Sequence, residues 1–101
     1  MQLTERAAEE LQRLLRDNLA GPRQGVRLRL EGAGHLAMTI DAPHLGDTVM
    51  RRDTTPLLII DARLADRLAP RVLDFASRGD GWRQAGFVLL WRTPEEAAPI
   101  S

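Results

Sequence analysis

Two histidines, His35 and His44, are the side chains of this chain best suited to metal ligation or to proton transfer near neutral pH. The chain has no cysteine. That excludes disulfide staples, thiolate nucleophiles and cysteine-based zinc knuckles. His35 follows Gly32-Ala33-Gly34, and reads as a solvent-facing residue of a glycine loop before it reads as a ligand. His44, after Pro43, reads as a surface loop residue. The segment Leu36–Asp41 between them alternates weakly, as a strand does, and six such residues extend roughly 20 Å at about 3.3 Å each. Zinc holds nitrogen at about 2.0–2.1 Å, so the two histidines are not expected to share one metal within a chain. His35 meeting its counterpart in a second subunit, with carboxylates completing the shell, is the metal arrangement left open.

Other candidates carry less. Asp74 lies in the strand-like run Val72-Leu73-Asp74-Phe75, where burial would make it a base of raised pKa and hydrogen bonding would make it structural. The serines, Ser77 and Ser101, have no histidine near them in sequence, and no enzyme is expected. Gly32 and Gly34 could form an anion nest, but no helix, lysine or hydroxyl accompanies them, and a hairpin needing glycine is the better account. Arg27, Arg29, Arg51 and Arg52 suggest a basic patch, diluted by Glu31, Asp41, Asp47 and Asp53. Trp82 and Trp91 could stack bases, yet there is no tyrosine and little aromatic interleaving.

These residues must be positioned by short elements. Thr4–Leu19 carries Ala7, Ala8, Leu11, Leu14, Leu15 and Leu19 on one helical face, with Thr4 as N-cap and Gly21-Pro22 as the stop. Gly25–Glu31 alternates, setting Val26, Leu28 and Leu30 against Arg27, Arg29 and Glu31. Thr48–Arg51 is a short strand, Asp53–Pro56 a turn, and Leu57–Ile60 an apolar run typical of a strand buried on both faces. Asp61 caps a helix over Ala62–Leu68 that Pro70 ends. Strands follow at Val72–Phe75 and Phe87–Trp91, with a turn at Gly79-Asp80-Gly81 between them. Residues 93–101 are expected to form a flexible tail beyond a domain over 1–92. Leu11, Leu15, Leu28, Leu30, Ile59 and Phe87 are expected in the core.

This order of elements resembles the HesB/IscA family, the A-type iron–sulfur cluster carriers, over roughly residues 2 to 91. Leu3-Thr4-Glu5-Arg6-Ala7-Ala8 is similar to the family's opening Leu-Thr-x-x-Ala-Ala, and Gly25-Val26-Arg27-Leu28 to its Gly-Leu-Arg-Leu strand. Gly32-Ala33-Gly34-His35-Leu36-Ala37-Met38 lies over Gly-Gly-Gly-Cys-Ser-Gly-Phe. Leu58-Ile59-Ile60-Asp61, Leu73-Asp74-Phe75 and Gly86-Phe87-Val88 resemble Val-Leu-Val-Asp, Ile-Asp-Tyr and Gly-Phe-Val. The resemblance implies an α+β, β-rich domain with mixed sheets, an N-terminal helix and a second short helix. It places His35 where the family's first ligand cysteine stands. The family's C-terminal Cys-Gly-Cys has no counterpart, since the tail offers Thr93-Pro94-Glu95-Glu96-Ala97-Ala98.

Function follows from that departure. Iron–sulfur clusters are held by thiolates, and histidine replaces cysteine only beside other cysteines. No cluster or other cofactor is expected. With 101 residues, 44% of them hydrophobic, and a formal charge of zero, the chain reads as one small globular domain with no global attraction to nucleic acid or anionic membrane. All 14 basic residues are arginine, which a GC-rich coding sequence explains. The N-terminus lacks a signal-peptide pattern and no run approaches the ~18 apolar residues of a membrane span, so a cytoplasmic location is expected. A cysteine-free accessory or interaction module is the expectation, possessing a protein partner in cluster assembly or self-associating into a homo-oligomer. The apolar strand Phe87–Trp91 supports self-association, being a hazardous edge if left bare. The alternatives are a mononuclear metal site through His35 at a subunit interface, or a small-molecule domain using the hairpin groove.

Overall fold

The computed structural model describes residues 1–32, 35–76, 86–90 and 99–100, and of His35, Ala76, Pro99 and Ile100 the backbone alone. Strand β1 (Gln2–Thr4) runs directly into helix α1 (Glu5–Asp17). Strands β2 (Gly25–Glu31), β3 (His35–Asp41), β4 (Thr48–Arg52) and β5 (Thr55–Ile60) follow, then helix α2 (Ala62–Leu68). Strands β6 (Val72–Ala76), β7 (Gly86–Leu90) and β8 (Pro99–Ile100) complete the order. The chain divides into two compact units, one of residues 1–10 and 68–101, the other of residues 11–67. The fold class is α+β with two mixed sheets and two helices.

The first unit holds the sheet β7-β6-β1-β8. Strand β1 pairs parallel with β6 through Leu3 and Leu73, and antiparallel with β8. Both leucines are fully buried. The N-terminal ammonium of Met1 donates to Ala69 O at 2.8 Å, and Gln2 N to Arg71 O at 3.0 Å, fixing the start of β1 to the approach to β6. Pro99–Ile100 belong to a sheet, where the sequence had suggested tail; residues 93–98 lie outside the described residues. The sequence pattern misses β8 because two residues are too few to show a period, and its order comes from pairing with Leu3 and Thr4.

The second unit holds the sheet β3-β2-β5-β4, with β2 and β5 parallel and the outer pairs antiparallel. Val26, Leu28 and every residue from Leu57 to Ile60 are buried, as expected for a strand covered on both faces. Leu11 and Leu15 are buried too, but Leu30 is only half-buried, as is Phe87 in the other unit. The register Val26↔Leu58 and Arg27↔Ile59 sets the last residue of β5, Ile60, level with Leu28. Leu30 therefore lies beyond the end of the neighbouring strand. Phe87 sits on edge strand β7 and meets Phe75 edge-to-face, with centroids 5.0 Å apart. The turn expected over Asp53–Pro56 is shorter, because Thr55 and Pro56 already belong to β5. A register shift opposite Met50/Arg51 makes a bulge there, and a bulge tolerates proline's missing N–H.

Helix caps follow the sequence at one end and depart from it at the other. Ala7 N donates to Thr4 Oγ1 at 3.2 Å and Leu64 N to Asp61 Oδ1 at 3.0 Å, so both expected N-caps form. At the C-terminus of α1 the left-handed residue is Leu19, with φ 53°, rather than Gly21. Leu19 N donates to Arg16 O at 3.1 Å and Ala20 N to Leu15 O at 2.9 Å, the paired bonds of a Schellman ending. Leu19 thus leaves the apolar face assigned to it and is 91% exposed. A β-carbon in this conformation costs about 1–2 kcal/mol, and no burial offsets it here. Leu19→Gly is expected to stabilise the protein by ~0.5–1 kcal/mol after glycine's greater unfolded-state freedom is deducted, read as a raised urea midpoint.

Candidate functional site

His35 is the first residue of β3, opposite Glu31 across the hairpin. The turn that leads to it uses Gly32 at φ 53°, where glycine carries no steric penalty. Gly34 lies outside the described residues. Strand β3 then runs unbroken to Asp41, opposite Gly25, so the two histidines flank opposite ends of one strand. Among the described residues no three histidine or carboxylate side chains gather as a metal-holding group. Ser77, Ser101, Trp82 and Trp91, and the turn Gly79-Asp80-Gly81, also lie outside the described residues.

His44 belongs to a charged cluster whose centre is Arg27. Its guanidinium donates from Nε to Asp41 Oδ2 and from NH2 to Asp47 Oδ2, both at 2.7 Å, and from NH2 to Ala42 O at 3.2 Å. His44 Nδ1 stands 3.4 Å from the same NH2, and its Nε2 is 3.7 Å from Asp41 Oδ2. The loop closes on itself as His44 N donates to Asp47 Oδ2 at 2.7 Å and Asp47 N to His44 O at 3.0 Å. The hydrogen bond to Asp47 raises the Arg27 pKa, outweighing partial burial, and the contact with Asp41 adds to it. Arg27 in turn holds Asp41 and Asp47 below the usual carboxylate range, helped by the amides of Ala42 and His44. Arg27 already neutralises the negative charge that these carboxylates would offer a metal. The cluster organises the loop between β3 and β4, and Arg27 is unavailable to the basic patch suggested by the sequence.

Asp74 is structural. Its carboxylate is 2% exposed and accepts from Thr4 Oγ1 at 2.5 Å and from Arg6 Nε and NH2 at 2.8 and 2.6 Å. Burial pushes its pKa up, but Arg6, Thr4 and the Phe75 amide together bring it below the ordinary value. A carboxylate so held is no general base at neutral pH.

A third group of charges is one the sequence reading overlooked. Arg29, Arg63 and Arg67 line a cleft of about 270 Å³ with Leu30, Asp61 and Leu64. The visible signal was Arg63 and Arg67 at i,i+4, a like-charged spacing that weakens an isolated helix.

No protein-family model matches the sequence, and no curated protein matches it. Solved structures do. The chain aligns over 86% of its length with 80% of Escherichia coli SufA, a protein involved in biosynthesis of iron–sulfur clusters, at a TM-score of 0.60 and 21% identity. It aligns over 91% of its length with 89% of an Aquifex aeolicus protein, at a TM-score of 0.63 and 24% identity. The chain has the SufA fold. This is the HesB/IscA-like architecture suggested by the motifs, in a sequence without cysteine. Among the described residues no helix is long and apolar enough to cross a membrane.

Proposed function

We propose that this SufA-like chain is a non-enzymatic cytoplasmic accessory or interaction module of iron–sulfur cluster assembly. It works by association, with its own copies or with an assembly partner, and holds no cluster. The observation that carries this reading is a SufA-like fold over 86% of a chain that offers no thiolate. Association is supported by β7, which among the described residues pairs only with β6 and stands at the edge of its sheet. Its residues Phe87–Leu90 are half-buried, and an apolar edge of this kind invites pairing with a second copy.

Anaerobic incubation of the purified protein with ferrous iron and sulfide is expected to leave it colourless, without charge-transfer absorption. Sedimentation at micromolar concentration is expected to show a species larger than a monomer. A stable, stoichiometric cluster would sink the first half of the proposal. A strict monomer that also captures no cluster-assembly protein from its host would sink the second.

A further inference from the structure

Strands β2 and β5 run parallel, but they do not end together. The register places Ile60 beside Leu28, and one step further it sets Asp61 level with Arg29. Strand β2 continues to Glu31, whereas β5 ends at Ile60 and the backbone turns at Asp61 into α2. The gap left at the carboxyl ends of the two strands is the cleft of Arg29, Arg63 and Arg67, with half-buried Leu30 and buried Leu64 among its lining. Crevices at the carboxyl ends of parallel strands are common ligand sites.

The charges there are unbalanced. Three arginines line the cleft against one acidic residue, Asp61, one oxygen of which already accepts from Leu64 N. Arg27 is held by Asp41 and Asp47, and Arg6 by Asp74. Among the described residues Arg29, Arg63 and Arg67 have no hydrogen-bonded or ion-paired partner, and all three are exposed. Arg16, Arg23 and Arg51 are also exposed. Asp66 lies on α2 but does not line the cleft. Placing Arg63 and Arg67 one turn apart, with Arg29 lining the same cleft, raises mutual repulsion, which a bound anion would relieve. Guanidinium forks match the oxygens of phosphate, and several together favour a multivalent oxyanion over a single carboxylate.

We propose that Arg29, Arg63 and Arg67 form a binding site for a small free phosphate compound carrying at least two negative charges. This site is independent of cluster chemistry.

The test is titration of the full chain with inorganic pyrophosphate at physiological ionic strength, followed by calorimetry and by amide chemical shifts. Saturable binding below about 1 mM is expected, with shifts concentrated at Arg29, Leu30 and Asp61–Arg67 (three charge-assisted contacts support that affinity). Arg29→Gln and Arg67→Gln should each weaken it by about tenfold or more, while Arg23→Gln should leave it unchanged. The wild-type shift map keeps the test decisive if one variant folds poorly. No saturation at millimolar pyrophosphate overturns the proposal, as does an equal loss in Arg23→Gln. Binding to phosphatidic acid vesicles without binding to pyrophosphate would assign the arginines to a lipid surface and also overturn it.

Discussion

Asp74→Ala is expected to lower stability by about 3 kcal/mol, a large part of the total for a domain of this size. The buried carboxylate is the common acceptor for Thr4 of β1 and Arg6 of the first turn of α1. The change of direction between strand and helix is therefore tied to β6 by one side chain. Alanine leaves the Thr4 hydroxyl without that acceptor and removes the partner facing the Arg6 fork. Breaking a buried ion pair costs ~3–5 kcal/mol, and the lower end applies because the Arg6 side chain is 32% exposed. Thr4→Val should cost less, about 1–2 kcal/mol, through the lost cap at Ala7 and the lost donor to Asp74. Urea unfolding of both variants measures the difference; a loss below 1 kcal/mol for Asp74→Ala would show that the network contributes little.

The same carboxylate predicts acid sensitivity. Asp74, Asp41 and Asp47 all have folded pKa values below the usual one. As pH falls towards about 4, their unfolded counterparts take up protons first, so the unfolded state gains relative to the folded. Stability from these groups is complete above pH ~5 and is lost as pH drops through their folded pKa values. Asp74→Asn removes one of these groups and should flatten the decline of the melting temperature between about pH 5 and pH 3.

What was legible in the sequence was mostly what repeats locally. The alternation of Val26 to Glu31, the apolar run Leu57–Ile60 and the caps Thr4 and Asp61 each read correctly because neighbouring residues state the pattern together. Strand β1 was missed, since three residues show no period and their order comes from pairing with Val72 and Leu73 far along the chain. The end of α1 was misplaced because glycine is the usual left-handed residue, while here the backbone bonds of Arg16 and Leu15 put Leu19 there. Site chemistry was harder to see than fold. Arg27, Arg29, Arg51 and Arg52 look alike in sequence, and only the fold brings two carboxylates to Arg27 while setting Arg29 in one cleft with Arg63 and Arg67.

Arg27 is where that distinction can be measured. Its side chain is 12% exposed and that of Asp47 is 6% exposed, so their pair is shielded from solvent far more than Asp41, at 35%. Arg27→Met keeps much of the apolar stem but strips the loop of its central donor. Asp47 would keep the His44 amide and lose its counter-charge, beside a second carboxylate that has lost the same partner. The expected cost is about 2–3 kcal/mol near neutral pH, less than for a fully buried pair because Asp41 can turn to water. Most of that cost comes from charges left uncompensated, so two conditions should reduce it. Adding Asp47→Asn to Arg27→Met should recover part of the lost stability, making the double variant more stable than the sum of the two single losses. Lowering the pH below about 4 should also narrow the gap between wild type and Arg27→Met, because protonation removes the charges that Arg27 compensates. Urea titrations of the four proteins at pH 7 and pH 3.5 would separate these contributions. Strict additivity, with a gap that does not change with pH, would mean that Arg27 acts through its packing rather than through its charge.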